Sequence, residues 1–227
     1  MKRKYLSFMH RLLGMVAFPM VSPFLFIGCD PIGPVVSSTI WENCTLEEFE
    51  AEAAAMQPTM HTNCWVRLHV LEDKWPSNCF ERIATVLKGN PNKLFFLEME
   101  YKRIVDTHGT EITTLEENVF AGCENLTYLD FPQDIKTIKS EAFKNCKNMT
   151  HQYLFHVKSI GDKAYAGCTK MDIEIPNTVT TMGKNVFEGW TSSQRIYVPF
   201  AENGKPDGWS DKWDAGCNAV IKYKGEW

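Results

Sequence analysis

The sequence predicts an α/β repeat solenoid, with short strands stacked turn upon turn. Three observations carry that prediction. Residues 112–199 read as one unit written four times, aligned on Ile112, Ile135, Val157 and Val179, then on Leu115, Ile138, Ile160 and Met182, then on Phe120, Phe143, Tyr165 and Phe187. Cys123, Cys146 and Cys168 follow at steps of 23 and 22 residues, and Trp190 holds the fourth position 22 residues further on. Three of the four units close with a short apolar strand, ending in Pro132, Pro176 and Pro199. A fixed period in this range marks units that cannot bury an apolar face alone and gain a core by stacking.

The N-terminus is set apart from the fold. Lys2, Arg3, Lys4 and Arg11 give a basic start, residues 12–27 are almost wholly apolar, and Gly28 and Cys29 close the run. This is the pattern of an export signal over residues 1–28, and the apolar run is short for a spanning helix. Without those four basic residues the chain keeps 20 Lys and Arg against 28 Asp and Glu, a net charge of −8. Such a balance argues against a nucleic-acid partner, which calls for a basic face, and against electrostatic adhesion to an anionic membrane. Residues 29–40 contain two prolines, a glycine and a Ser-Ser-Thr run, and read as a spacer.

Residues 41–111 are expected to form an N-terminal cap and longer, degenerate repeats. Thr45 and Glu48 have the spacing of a capping box opening a helix over 46–56, which Pro58 stops. Residues 65–70 alternate, placing Val66, Leu68 and Val70 on one face and Trp65, Arg67 and His69 on the other. A helix from Pro76 to Leu87 follows, with Phe80, Ile83, Ala84 and Leu87 on one side, and then a strand over 94–99. Added to the repeats, these strands give a parallel sheet of about six, with the 46–56 helix covering its open end. Beyond Pro199, residues 200–227 read as a C-terminal cap. Trp209 and Trp213, four apart, suggest a short helix, and residues 219–223 a last strand.

The unit resembles the BspA-like, or treponemal, class of bacterial leucine-rich repeats. The resemblance rests on Ile138, Ala142, Phe143, Cys146 and Met149, on Ile160, Gly161, Ala164, Tyr165, Cys168 and Met171, and on the strand Ile173, Ile175, Pro176. It covers about residues 112–223. Repeat two departs from it at residues 149–155, and Trp190 replaces a cysteine. The resemblance implies a right-handed superhelix with a concave parallel sheet, a role in binding other proteins at the cell surface or in the periplasm, and no enzyme activity. Phe26, Ile27, Gly28 and Cys29 are similar to a relaxed lipobox, which implies a lipidated Cys29. A plain secretory signal and an uncleaved anchor are the alternatives.

The other cysteines and the histidines give no sharper chemistry. The repeat cysteines share a position with a tryptophan, so they read as buried spacers, and a disulfide among Cys44, Cys64 and Cys79 stays open. The histidines are scattered, and neither a phosphate-binding glycine loop nor HExxH or GxSxG occurs, so no cofactor, metal or catalytic site is assigned. Binding is expected on the outward strand positions. These are Arg67, His69, Phe96, Glu98, Tyr128, Asp130, Gln152, Asp172, Glu174, Arg195 and Tyr197, with Thr150 in the irregular repeat. The expected partner is a host or cell-envelope protein, met in adhesion, with the membrane touched only through the lipid. A periplasmic scaffolding lipoprotein and a carrier using an apolar groove near Tyr153 and Phe155 are the competing readings.

Overall fold

Two strand–helix units lead into the repeats: β1 (Ser38–Cys44), α1 (Leu46–Ala55), β2 (Thr62–Leu68), α2 (Cys79–Gly89) and β3 (Lys93–Met99). The structure, a computed structural model, describes residues 38–55, 62–68, 75–99 and 104–225. The expected export segment 1–28, Cys29, the expected spacer up to residue 37 and His69 lie outside the described residues.

α1 starts where the capping box places it. The Thr45 N–H donates to Glu48 Oε2 at 2.9 Å, and the Glu48 N–H donates to Thr45 Oγ1 at 3.2 Å. Two of the helix's orphan donors are thereby satisfied. α2 buries Phe80, Ile83, Ala84 and Leu87 on one face. Arg82 of α2 forks onto Glu50 of α1, with Nε and Nη2 each 2.6 Å from a carboxylate oxygen.

Strand β1 differs from the sequence reading, because it begins inside the expected spacer and pairs in parallel with β2. Thr39, Ile40 and Trp41 are strong strand formers, and they outweigh the Ser-Ser-Thr composition. α1 is therefore the crossover that parallel strands require. β1, not the helix, forms the edge of their sheet.

Most later turns supply two short strands separated by a bend. β4 (Thr114–Leu115), β6 (Thr137–Ile138), β7 (Ser159–Ile160) and β9 (Thr181–Met182) form one four-stranded parallel sheet. On the other side lie β5 (Leu126–Asp130), β8 (Ile173–Glu174), β10 (Arg195–Tyr197) and β11 (Val220–Lys222). The expected sheet of about six strands is in fact two. β1, β2, β3 and β5 make one, β8, β10 and β11 the other, and residues 149–155 between them form no strand.

The bend between the two strands repeats with the same backbone conformation. Gly122, Asn145, Gly167, Gly189 and Gly216 take equivalent left-handed positions with φ of 60–83°. That region favours Gly and tolerates Asn, which explains the residue types there. The peptide groups then stack turn on turn: Phe120 N–H donates to Ala142 O at 2.8 Å, Phe143 to Ala164 at 2.9 Å and Tyr165 to Val186 at 3.0 Å. At Gly161 a Cβ would lie 2.5 Å from the Ser140 nitrogen, so the close approach of two turns requires glycine.

Within the stack runs an inner row of rings. Phe120, Phe143, Tyr165 and Phe187 lie near parallel at centroid distances of 5.4, 5.3 and 6.1 Å, and all are fully buried. The row is extended edge-on by Phe80 at one end and Trp213 at the other. The repeat cysteines are more than spacers. Cys146 Sγ–H donates to Phe120 O at 3.2 Å and Cys168 Sγ–H to Phe143 O at 3.0 Å. Trp190 Nε1–H donates to Tyr165 O at 2.8 Å, doing the same for the next turn. The shared requirement is a buried donor, and that is why indole can replace thiol. Cys64, Cys79 and Cys217 also carry free thiols.

The tail forms one more turn and not the expected helix. Trp209 bridges in parallel to Met182, Val186 N–H donates to Trp213 O at 2.8 Å, and Gly189 N–H to Gly216 O at 2.9 Å. Trp209 and Trp213 belong to this turn and pack on each other at 5.3 Å.

Candidate interaction surface

β2 and β3 carry the expected alternation, and β5 joins them with a register shift between Phe95 and Phe96. Val66, Leu68, Phe95, Leu97, Met99 and Leu129 are buried beneath the sheet. Register places Trp65 beside Phe96, Arg67 beside Glu98, Phe96 beside Tyr128 and Glu98 beside Asp130.

Register turns these neighbours into an outer row of rings. Trp65 and Phe96 lie 4.1 Å apart, Phe96 and Tyr128 4.4 Å, and Tyr128 and His151 4.5 Å. Tyr153 meets Tyr128 edge-on at 6.2 Å and stacks on Phe155 at 5.3 Å. Trp65, Tyr153 and Phe155 are 47%, 50% and 65% exposed. Burial holds the His151 pKa below its usual value, with the Asp130 charge pulling the other way, so the ring is a neutral imidazole at pH 7.

Two of the expected outward residues are corrected. Gln152 is buried at 4% exposure, and its Nε2 donates to Leu129 O at 2.6 Å. In residues 151–155 the alternation puts Gln152 and Leu154 inside and leaves Tyr153 and Phe155 outside. A polar amide stands where neighbouring turns have Leu129 and Ile173, and its Oε1 has no partner among the described residues. Tyr128 is outward but only 5% exposed, because Phe96, His151 and Tyr153 pack around its ring.

The remaining candidates stand on the same face. Arg67 Nη2 pairs with Glu98 Oε2 at 2.9 Å. The Arg195 N–H donates to Asp172 Oδ1 at 2.7 Å, and Arg195 Nη1 lies 3.5 Å from Asp172 Oδ2. Exposed pairs of this kind contribute about 0–1 kcal/mol each, so they orient side chains more than they stabilise the fold. Thr150 is exposed, and its N–H donates to Thr127 O at 3.0 Å. Tyr197 is paired in register with Glu174, which is exposed.

A cavity of about 220 Å³ opens where the two sheets part, lined by Tyr153, Phe155, Asp172, Glu174 and Tyr197 among others. A second, of about 130 Å³, is lined by Tyr128, Asp130, Tyr153 and Phe155. The Tyr153 and Phe155 rings thus stand between two hollows.

Sequence reasoning left Trp65, His151, Tyr153 and Phe155 out of the protein-binding set, although the carrier reading named the region of Tyr153 and Phe155. Trp65 was legible, since alternation puts it on the same face as Arg67. The other three become legible once Gln152 is read as an inward residue. The surface therefore offers ring area that a partner can desolvate, edged by carboxylates, and rings of this kind carry much of the energy at protein interfaces.

Residues 96–203 match the profile of the BspA type leucine rich repeat region, in six copies. This part of the chain is a BspA-type leucine-rich repeat region, a family that generally supplies protein-interaction modules without enzymatic activity. No curated protein matches the chain.

Proposed function

We propose that this leucine-rich-repeat chain binds another protein through the outer face of β2, β3, β5, β8 and β10. The observation that carries the reading is the outer ring row, which runs from Trp65 to Phe155 and leaves three large aromatic side chains about half exposed or more. An exposed, contiguous row of this kind is unusual where nothing docks. The superhelical curvature of the family would make this face the concave one, with the first strand–helix unit and the Trp-rich turn at the ends of the array.

The setting completes the proposal. The basic start, the apolar run and the Gly28–Cys29 junction support export and lipid attachment at Cys29. The mature chain would then display its face from the bacterial envelope, in adhesion or in contact with host or envelope proteins. Several acyl chains on one residue give stable anchoring where one is marginal.

The test is a double variant, Tyr153→Ala with Phe155→Ala, compared with the parent in cross-linking to envelope and host protein fractions. Circular dichroism controls for folding. A cross-linked partner that vanishes with the variant supports the face, and an unchanged partner set removes it. Protease shaving of intact cells then separates adhesion from scaffolding, because a protected chain cannot meet a host protein.

A further inference from the structure

The cavity beside Tyr153 is chemically one-sided. Glu174 and Asp172 are its acidic residues, and neither Lys nor Arg is among the described residues lining it. Asp172 is engaged by Arg195, which stands outside the lining. Glu174 is exposed, and its carboxylate makes no ion pair or hydrogen bond with a described residue. Its other walls include Tyr153, Phe155 and Tyr197. Gln152 also lines it, 4% exposed, with an Oε1 that has no hydrogen-bond partner among the described residues. An orphaned buried acceptor is costly unless something donates to it. The site therefore combines ring faces, a carboxylate without a cation and an acceptor without a donor.

We propose that this cavity receives an arginine side chain of the partner protein. The inference rests on the outer face being the protein-binding surface. A guanidinium is flat and weakly hydrated, stacks on aromatic faces and carries five N–H donors. It can lie against the rings, donate to the Glu174 carboxylate in a two-pronged bond and have donors left for Gln152 Oε1. A lysine ammonium matches the charge but is strongly hydrated and loses more on leaving water for a ring-lined hollow. An anionic group would face two carboxylates. A neutral sugar could stack on the rings but would leave Glu174 without a counter-charge.

The experiment titrates the isotope-labelled full chain with three acetylated, amidated Gly-Gly-X-Gly-Gly peptides, where X is arginine, lysine or citrulline, and separately with maltohexaose. Amide shifts at Tyr153, Phe155 and Glu174 are read by NMR. Arginine should give saturable shifts at these residues, lysine weaker ones and citrulline none. Glu174→Gln, an exposed and nearly isosteric change, should weaken the arginine peptide roughly tenfold while leaving the spectrum folded. Equal binding of citrulline and arginine, an unaltered affinity in Glu174→Gln, or saturation by maltohexaose with a silent arginine peptide would each overturn the proposal. The same variant in the cross-linking assay separates this inference from the one beneath it. A partner lost with Tyr153→Ala and Phe155→Ala but kept with Glu174→Gln sinks the arginine assignment and spares the binding face.

Discussion

Two rows of aromatic rings run along this molecule, one inside the stack and one on its surface. The inner row, Phe120, Phe143, Tyr165 and Phe187, comes from equivalent positions in successive turns and is fully buried. The outer row, Trp65, Phe96, Tyr128, His151, Tyr153 and Phe155, comes from positions with no common offset and leaves three side chains largely in solvent. One row follows from the period of the sequence, because each ring must fill the layer its turn creates. The other begins with register between β2, β3 and β5, which brings together Trp65, Phe96 and Tyr128, and ends in the irregular residues 151–155. Regularity here marks packing, and irregularity marks the surface left free to meet something else.

The comparison is broken most directly by cutting one ring from each row. Phe143→Ala should destabilise the fold by about 3–5 kcal/mol, the usual cost of emptying a packed aromatic site. Tyr153→Ala should stay within about 0.5 kcal/mol of the parent, as exposed substitutions do. Urea denaturation of both variants provides the measurement, and similar losses would erase the distinction between the rows.

The close approach of turns comes next in size. Gly161→Ala would drive a Cβ to 2.5 Å from the Ser140 nitrogen, which a backbone neighbour cannot evade cheaply. A loss of about 2 kcal/mol is expected from this overpacking. A thermal midpoint equal to the parent's would show that the turns have slack.

A smaller effect concerns the thiols. Burial pushes Cys64 up to about 11 and Cys79 and Cys123 up to about 12. Unfolded thiols titrate near 8.5, so above that pH the unfolded chain releases protons that the folded chain keeps. Their contribution to stability is complete below about pH 8.5 and is lost as pH climbs towards 11–12. Under reducing conditions the urea midpoint should be lower at pH 10.5 than at pH 7.5, and Cys123→Ala should flatten that slope. A steeper slope in the variant would contradict the burial of the thiol.

The finest adjustment is at Lys163, which holds a left-handed φ of 55° without being Gly or Asn. Lys163→Gly should stabilise by about 0.5–1 kcal/mol, because relief of the strain outweighs the added freedom of the unfolded chain. Its ion pair with Glu188 is exposed and subtracts little. A lowered midpoint would mean that the pair matters more than the backbone.

The same contrast explains what could be read from the chain alone. Phe143 and Cys146 announce themselves by spacing, and so the repeat and its parallel strands were legible. β1 was hidden because its polar start resembles a spacer, and its partner β2 is distant in sequence. Gln152 was misplaced because outwardness was counted from a strand pattern that this repeat does not keep. The buried amide lies where the outer sheet divides in two and the cavity beside Tyr153 opens. The short-strand sheet of β4, β6, β7 and β9 escaped notice because two-residue strands carry too little alternation to see.

The donor position shared by Cys146, Cys168 and Trp190 has a consequence for how such a chain can lengthen. Each turn offers an aromatic residue's carbonyl to the turn that follows and delivers one proton to the turn before. A copied block of one full period would arrive with both halves of that handshake already in place. Duplication could extend the array, and the surface it displays, one turn at a time while leaving every existing contact in the interior undisturbed.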